Sequence, residues 1–271
     1  CKVSKTNNSI IINSKDCNNP EAPYDLVKTM RASFYVLGPL LSRFKYAKVS
    51  LPGGCAWGPR PIDFHLQAFK ELGATVKLNS GYIITKGDLK STNIVFPKPS
   101  VGATGNVIMA CINLDKEVVI KNAAMEPEIV DLCEFLIKLG VRFKGIGTDT
   151  LTIYGSTVNR DINLTYSIIP DRIEAGTFMI ACAATGGKII LNNVNPKHLN
   201  SVVDSLIKAN IKITVQQKAI TVESNGIIEP FNIVTDVYPG FPTDLQAQWI
   251  ALMSKSIGKS TVTDNIYLDR F

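Results

Sequence analysis

Cys55 stands where a thiol can be used rather than packed. It lies in Leu51-Pro-Gly-Gly-Cys-Ala-Trp-Gly-Pro-Arg-Pro61, with Arg60 five residues further on. Glycine and proline at this density can continue neither a helix nor a strand. Loops of that kind carry function more often than packing. A loop thiol near a cationic group has an accessible sulfur and a tuned pKa, so acid–base or nucleophilic work at sulfur is the chemistry to expect.

The elements that hold this loop are readable on either side. Ala47-Lys-Val-Ser-Leu51 reads as a short strand, and Pro61 to Gly73 as an amphipathic helix. The other cysteines are Cys1, Cys17, Cys111, Cys133 and Cys182, with no CxxC and no metal-like spacing. Cys111, Cys133 and Cys182 fall in apolar helical context and read as inert buried thiols. The pattern fits a reducing cytoplasm better than a disulfide framework. His65 and His198 are the two histidines, each on an expected helix, either packed or facing solvent. That is too few for a zinc centre or a histidine-based triad, and no metal site is expected.

The chain has 271 residues, 45% of them hydrophobic, enough for one large or two medium domains. No apolar run of about 18 residues points to a membrane span, and the polar opening Cys1-Lys-Val-Ser-Lys-Thr-Asn-Asn is not a signal peptide. The absence of an initiating Met makes the chain read as cut into at its start. The net charge of +6 is dispersed, without a run of four basic residues or an aromatic stacking motif. An anionic metabolite is therefore a better partner than nucleic acid.

A repeat runs along the chain with a period of roughly 70 residues. Three helices end alike, at Phe69-Lys-Glu-Leu-Gly, Phe135-Leu-Ile-Lys-Leu-Gly and Leu206-Ile-Lys-Ala-Asn. Each is followed by a strand pair: Val76–Leu78 with Tyr82–Thr85, Arg142–Lys144 with Leu151–Tyr154, and Ile211–Val215 with Ala219–Val222. The chain opens on a similar hairpin, Cys1–Ser4 with Ser9–Asn13. A second kind of helix follows each hairpin, from Tyr24 to about Phe44, Val101 to Asn113, Arg172 to Ala184 and Thr243 to Ser256. Their starts carry Asp, Ser, Asp-Arg or Thr-Asp, which are good N-caps. Each leads to a β-branched strand: Ala47–Leu51, Glu117–Lys121, Lys188–Asn192 and Thr261–Ile266. The unit is thus βαβαββ, complete about twice. Val101–Asn113 and Gly176–Ala184 are apolar nearly all round, as for helices inside a ring of sheets. A Pro-Asp turn in Ser167-Ile-Ile-Pro-Asp171 marks a domain break, giving domains 1–169, with the Cys55 loop, and 170–271.

Six stretches resemble the UDP-N-acetylglucosamine enolpyruvyl transferase (1-carboxyvinyltransferase) family, in its order and spacing. They are Ala22 to Ser33, Val49-Ser-Leu-Pro-Gly-Gly-Cys55, Ser100-Val-Gly-Ala-Thr104, Asn122-Ala-Ala-Met-Glu-Pro-Glu-Ile-Val-Asp131, Pro170-Asp-Arg-Ile-Glu-Ala-Gly-Thr177 and Phe241-Pro-Thr-Asp-Leu-Gln-Ala-Gln248. The resemblance implies an α/β (α+β) fold, an inside-out α/β barrel of βαβαββ units, with the active site in a cleft between two domains. It implies transfer of the enolpyruvyl group of phosphoenolpyruvate to the 3-hydroxyl of UDP-N-acetylglucosamine, releasing phosphate. The route is addition–elimination, with no organic cofactor, at the start of peptidoglycan synthesis. The sister transferase acting on shikimate 3-phosphate shares that fold, but the Cys55 loop and Ala22–Ser33 speak against it. A non-catalytic relative that binds a sugar nucleotide or a partner chain is the other alternative.

Site residues follow from the resemblance, position by position. Cys55 corresponds to the loop cysteine that acts as general acid on the enolpyruvyl carbon and is alkylated by fosfomycin. Arg31 and Arg60 correspond to arginines facing the phosphate and carboxylate of phosphoenolpyruvate, where planar forks suit both groups. Asp244 corresponds to the general-base candidate near the sugar hydroxyl. Asp63, Lys98, Ser100, Val101 and Gly102 correspond to nucleotide-binding positions, the last three opening a helix whose amides can receive a diphosphate. Arg172 and Arg270 correspond to cleft arginines, and Ile266 to an apolar contact for the sugar nucleotide. The chain departs from the family at Met125, where a basic residue is common, and at Pro99, Trp57 and Pro59. The family's amino-terminal Lys-Asn pair has no counterpart here, and Arg270-Phe271 ends the resemblance, so the chain reads as shortened at both ends.

Overall fold

The computed structural model describes residues 1–52, 62–155 and 162–267. The βαβαββ unit is present twice in full. The first copy runs β3 (Glu21–Ala22), α1 (Tyr24–Val27), a 3-10 turn (Arg31–Val36), α2 (Leu37–Phe44), β4 (Tyr46–Ser50), α3 (Asp63–Glu71), β5 (Thr75–Asn79) and β6 (Tyr82–Lys86). It follows an exposed antiparallel hairpin of β1 (Lys2–Lys5) and β2 (Ile10–Asn13). The second copy runs β7 (Asn93–Val95), α4 (Val101–Cys111), β8 (Val118–Lys121), α5 (Pro127–Lys138), β9 (Arg142–Lys144) and β10 (Thr150–Tyr154). Both four-stranded sheets share one topology, β3-β4-β6-β5 and β7-β8-β10-β9, with a parallel first pair and antiparallel ladders after it.

Beyond residue 170 the pattern continues as α6 (Arg172–Thr185), β11 (Gly187–Asn192), a 3-10 turn (Pro196–Leu199), α7 (Asn200–Lys208), β12 (Lys212–Val215) and β13 (Ala219–Ser224). Its sheet keeps the order β11-β13-β12. Then come β14 (Ile233–Thr235), a 3-10 turn (Thr243–Leu245), α8 (Gln246–Met253) and β15 (Val262–Asp264), with β14 and β15 parallel.

The three look-alike helix ends share one physical cause. Gly73, Gly140 and Asn210 all take positive φ, the left-handed conformation that closes a helix. Beyond each, the chain turns back with the same bonds. Ala74, Val141 and Ile211 donate N–H to Phe69, Leu136 and Leu206, while the left-handed residues themselves donate to Lys70, Ile137 and Ile207. The chain then enters the hairpin strand at a fixed angle, which is why the repeat is visible as a run of letters.

Buried side chains form two cores. One draws on residues from Val27 to Ile153, the other on residues from Ala175 to Met253. In the first, α4 packs against α2, α3 and α5, with the sheets outside. The second uses α6 in the same way, against α7 and α8, around the fully buried Trp249. Among the described residues the sheets stay separate, and no strand ladder closes on itself. Between the cores, residues 162–170 have no regular structure. Tyr166 ties that stretch to α5, its hydroxyl donating to the Asp131 carboxylate at 2.7 Å.

Two local expectations change. The helix expected from Tyr24 to Phe44 is three pieces, because Met30 is extended and Pro39 would block a continuous helix. Placed in the first turn of α2, Pro39 costs no hydrogen bond. The starts at Asp25 and Thr243 are not side-chain caps. Pro23 and Pro242 occupy the cap positions, Asp25 pairs with Lys28, and the Thr243 hydroxyl bonds elsewhere. Ser100 and Asp171 do cap α4 and α6. Cys111, Cys133 and Cys182 are buried, and burial raises each thiol pKa, that of Cys133 to about 12, leaving them protonated and inert.

Candidate active site

The described candidate residues fall into three groups; Cys55, Arg60 and Arg270 lie outside the described residues. The first group gathers at the amino end of α4. Ser100 is extended, and its hydroxyl accepts from the Ala103 N–H at 3.3 Å. The first-turn amides of a helix have no acceptor inside it, so Val101 and Gly102 begin a natural anion seat. Lys98 is exposed two residues ahead. Beneath this turn, the Tyr35 hydroxyl donates to the Val101 carbonyl at 3.0 Å. A Cβ on Gly102 would lie 3.0 Å from Nε2 of His65, so glycine lets the imidazole approach the backbone. His65 belongs to α3, whose first residue is Asp63. Arg31 opens the neighbouring 3-10 turn, close enough for its charge to act on both Tyr35 and His65.

Asn106, buried inside α4, fixes this corner. Its Oδ1 accepts from the Gly38 N–H at 2.7 Å, which leaves its Nδ2 to face the Phe34 carbonyl and Nδ1 of His65, each at 3.1 Å. His65 therefore accepts at Nδ1 and carries its hydrogen on Nε2, toward Gly102. Burial first, and the Arg31 charge second, push the His65 pKa down to about 4, so the ring is neutral at physiological pH. Burial likewise lifts Tyr35 to about 12, keeping it a hydrogen-bond donor.

The second group lies where α5 meets α6. Arg172 donates through Nε to Glu128 Oε1 at 2.9 Å and through a terminal nitrogen to Oε2 at 3.5 Å, and its guanidinium faces the Tyr238 ring at 5.8 Å. This pair bridges the two cores. Glu126 occupies the N-cap position of α5 without a side-chain cap bond and is 9% exposed, and among the described residues its Oε2 has no hydrogen-bond partner. Burial raises its pKa, and backbone N–H groups and Arg172 only partly oppose this. The charges of Glu126 and Glu128 also reach Tyr35, so this junction adjoins the first group. The Met125 stretch is held from behind. Thr104 accepts from the Ala124 N–H at 3.0 Å, and Asn122 donates to the Phe96 carbonyl at 2.7 Å.

The third group is the turn carrying Asp244, which is exposed, and the turn carrying Ile266, which is half-buried. Asp264 joins them. Its carboxylate accepts from the hydroxyls of Thr243 at 2.8 Å and Thr235 at 2.9 Å, and from the backbone N–H of Ile266 at 2.8 Å and Tyr267 at 3.0 Å. Burial would raise its pKa, but these donors outweigh burial and lower it, so Asp264 is ionised.

Sequence reasoning did not single out Tyr35, Asn106, Glu126 or Asp264, and treated His65 only as packed or solvent-facing. Two of them carried a signal: Asn106 is a lone amide in an apolar helix, and Asp264 a lone carboxylate in a β-branched strand, and buried polar groups are bonded ones.

Comparison with solved structures places the architecture among the enolpyruvyl transferases. The enolpyruvyl transferase NikO from Streptomyces tendae superposes with a TM-score of 0.79 over 96% of this chain and 63% of its own, at 18% identity. EPSP synthase from Acinetobacter baumannii gives a TM-score of 0.52 over 73% of this chain and 47% of its own, at 20% identity. In sequence, the profile of the EPSP synthase (3-phosphoshikimate 1-carboxyvinyltransferase) family matches residues 2–270, and the chain belongs to that family. Curated relatives named UDP-N-acetylglucosamine 1-carboxyvinyltransferase include those of Chlorobaculum parvum, 49% identical over 99% of this chain, and Campylobacter hominis, 47% identical over 97%. The chain spans 64% and 63% of the length of these two relatives.

Proposed function

We propose that this chain carries most of the active site of a UDP-N-acetylglucosamine enolpyruvyl transferase acting in peptidoglycan synthesis in the cytoplasm. Its substrates are phosphoenolpyruvate and UDP-N-acetylglucosamine, bound in a cleft between domains 1–169 and 170–271. The observation that carries the reading is the 49% identity, over 99% of the chain, to a relative bearing that activity in its name. Likeness to a named EPSP synthase, the sister enzyme on shikimate 3-phosphate, stands at 20% identity in the Acinetobacter baumannii structure.

Each group has a task in this reading. The amides of Val101 and Gly102, with Lys98 and Asp63, receive the nucleotide end of the sugar substrate. Asp244 accepts the proton of the 3-hydroxyl as the oxygen adds to the central carbon of phosphoenolpyruvate, while Cys55 delivers a proton to the methylene carbon. Loss of a proton from that carbon and of phosphate from its neighbour then restores the double bond. Arg31 and Arg60 hold the phosphate and carboxylate, and Arg270 lines the cleft. Arg172, paired with Glu128, aligns the two cores. Electrostatic stabilisation by such fixed cations is a large share of this kind of catalysis. The neutral His65 supports the nucleotide turn without adding charge.

The test is phosphate release. The full chain, mixed with both substrates, releases phosphate, and Cys55→Ala abolishes or strongly reduces the rate. A folded chain that binds UDP-N-acetylglucosamine without releasing phosphate contradicts the enzyme reading and favours a binding protein.

A further inference from the structure

We propose that Asp264 is the positioning residue of the acceptor-sugar end of the site: one buried carboxylate sets both the Thr243–Asp244 turn and the Ile266 turn. The inference rests on the assignment of Asp244 and Ile266 above and adds a residue that assignment does not contain.

In β7–α4–β8 the helix start is capped by its own Ser100, and the last ladder pair of the parallel strands is Val95 with Lys121. In the equivalent β14–α8–β15 segment the cap positions are held by Pro242 and Leu245, neither of which makes a side-chain cap bond, and the last ladder pair is Thr235 with Asp264. Lys121 is exposed, whereas Asp264 is 8% exposed and Thr235 is fully buried. A buried charge in place of an exposed one is costly unless several donors serve it. Among the described residues, donors reach it from the preceding strand, the Thr243 turn and the Ile266–Tyr267 turn. An ionised carboxylate only accepts, so the Thr243 hydroxyl must donate to it. That fixes the rotamer of the residue before Asp244 and the backbone of Ile266 from one point. Neither Asp244 nor Ile266 needs a strong contact of its own to be held.

Two substitutions separate the halves of this role. Asp264→Asn weakens the anchor for both turns, while Thr243→Val keeps the carboxylate and removes its tie to the Asp244 side. In steady-state phosphate release by the full chain, Asp264→Asn lowers kcat about tenfold and raises KM for UDP-N-acetylglucosamine about fivefold. Thr243→Val lowers kcat by about tenfold with KM within about twofold of wild type. A merely structural residue would shift the unfolding midpoint without this split. Wild-type kinetics in Thr243→Val, or an Asp264→Asn effect confined to thermal unfolding, overturns the inference. If Asp264→Asn does not fold, Thr243→Val carries the test alone. Calorimetric titration with UDP-N-acetylglucosamine gives a second readout, in which Asp264→Asn weakens binding and Thr243→Val does not. A wild-type chain that neither binds the sugar nucleotide nor releases phosphate overturns the functional reading and this inference together. A wild-type chain that does either, matched by both variants, overturns the inference alone.

Discussion

The amino ends of α4 and α8 are built on the same strand–helix–strand segment and solve opposite problems. The first is held by neutral groups: the Ser100 hydroxyl, the Tyr35 phenol, the Asn106 amide and an uncharged His65. It presents backbone N–H groups, which suit an anion. The second is held by an ionised carboxylate, Asp264, and carries the exposed side chain of Asp244. The repeat supplies one scaffold for both turns, and what differs is the support: neutral groups at the first, a buried carboxylate at the second.

Five substitutions probe this contrast. The largest effect is expected at Asp264. Asp264→Ala removes the acceptor that serves the Thr235 and Thr243 hydroxyls and two backbone N–H groups, and should cost about 3 to 4 kcal/mol in urea unfolding. Lys121→Ala, at the equivalent place in the first core, should stay within about 0.5 kcal/mol. Equal losses at the two positions would erase the contrast.

Next is the pH response of the first core. His65 is held neutral, its pKa lowered from 6.5 to about 4. The unfolded chain therefore takes up a proton that the folded chain refuses. Stability is full above 6.5 and falls as the pH drops toward 4, by an amount on the order of 2 to 3 kcal/mol from this residue. His65→Gln should flatten that part of the stability curve between pH 7 and pH 4. A wild-type-like slope in the variant would show that His65 is not the proton-linked group.

Smaller changes follow at the surface. Ser100→Ala removes the α4 cap and should cost about 1 kcal/mol. Glu128→Gln weakens the ion pair across the cores, but Glu128 is 47% exposed, so the loss should not exceed about 1 kcal/mol. A larger loss in the Glu128 variant would mean that the pair, rather than packing, joins the cores.

Much of the fold was legible because local chemistry repeats. Gly73, Gly140 and Asn210 end their helices by one left-handed motif, and that motif places the same letters at the same interval. β-Branched runs marked β4, β8, β11 and β15. The short parallel strands β3, β7 and β14 were not named, because two or three residues cannot display a period. The breaks around Met30 were missed for a different reason. Amphipathic spacing continues through them, and only Pro39 argues for a new start. In the site, the α4 turn was legible from Ser100 and its glycine. The roles of Asn106 and Asp264 were not, because their partners lie far away in sequence: Phe34 and His65 for one, Thr235 and Thr243 for the other. A side chain's type is local information; its set of partners is a property of the fold.

The central claim is that one sugar nucleotide is shared between these two differently supported turns. Titration of the isotopically labelled chain with UDP-N-acetylglucosamine, followed by amide NMR, tests it most directly. Saturable shifts are expected at Ser100–Gly102 and, at the same ligand concentration, at Asp244 and Ile266. Shifts confined to one core, or absent from both, would contradict it.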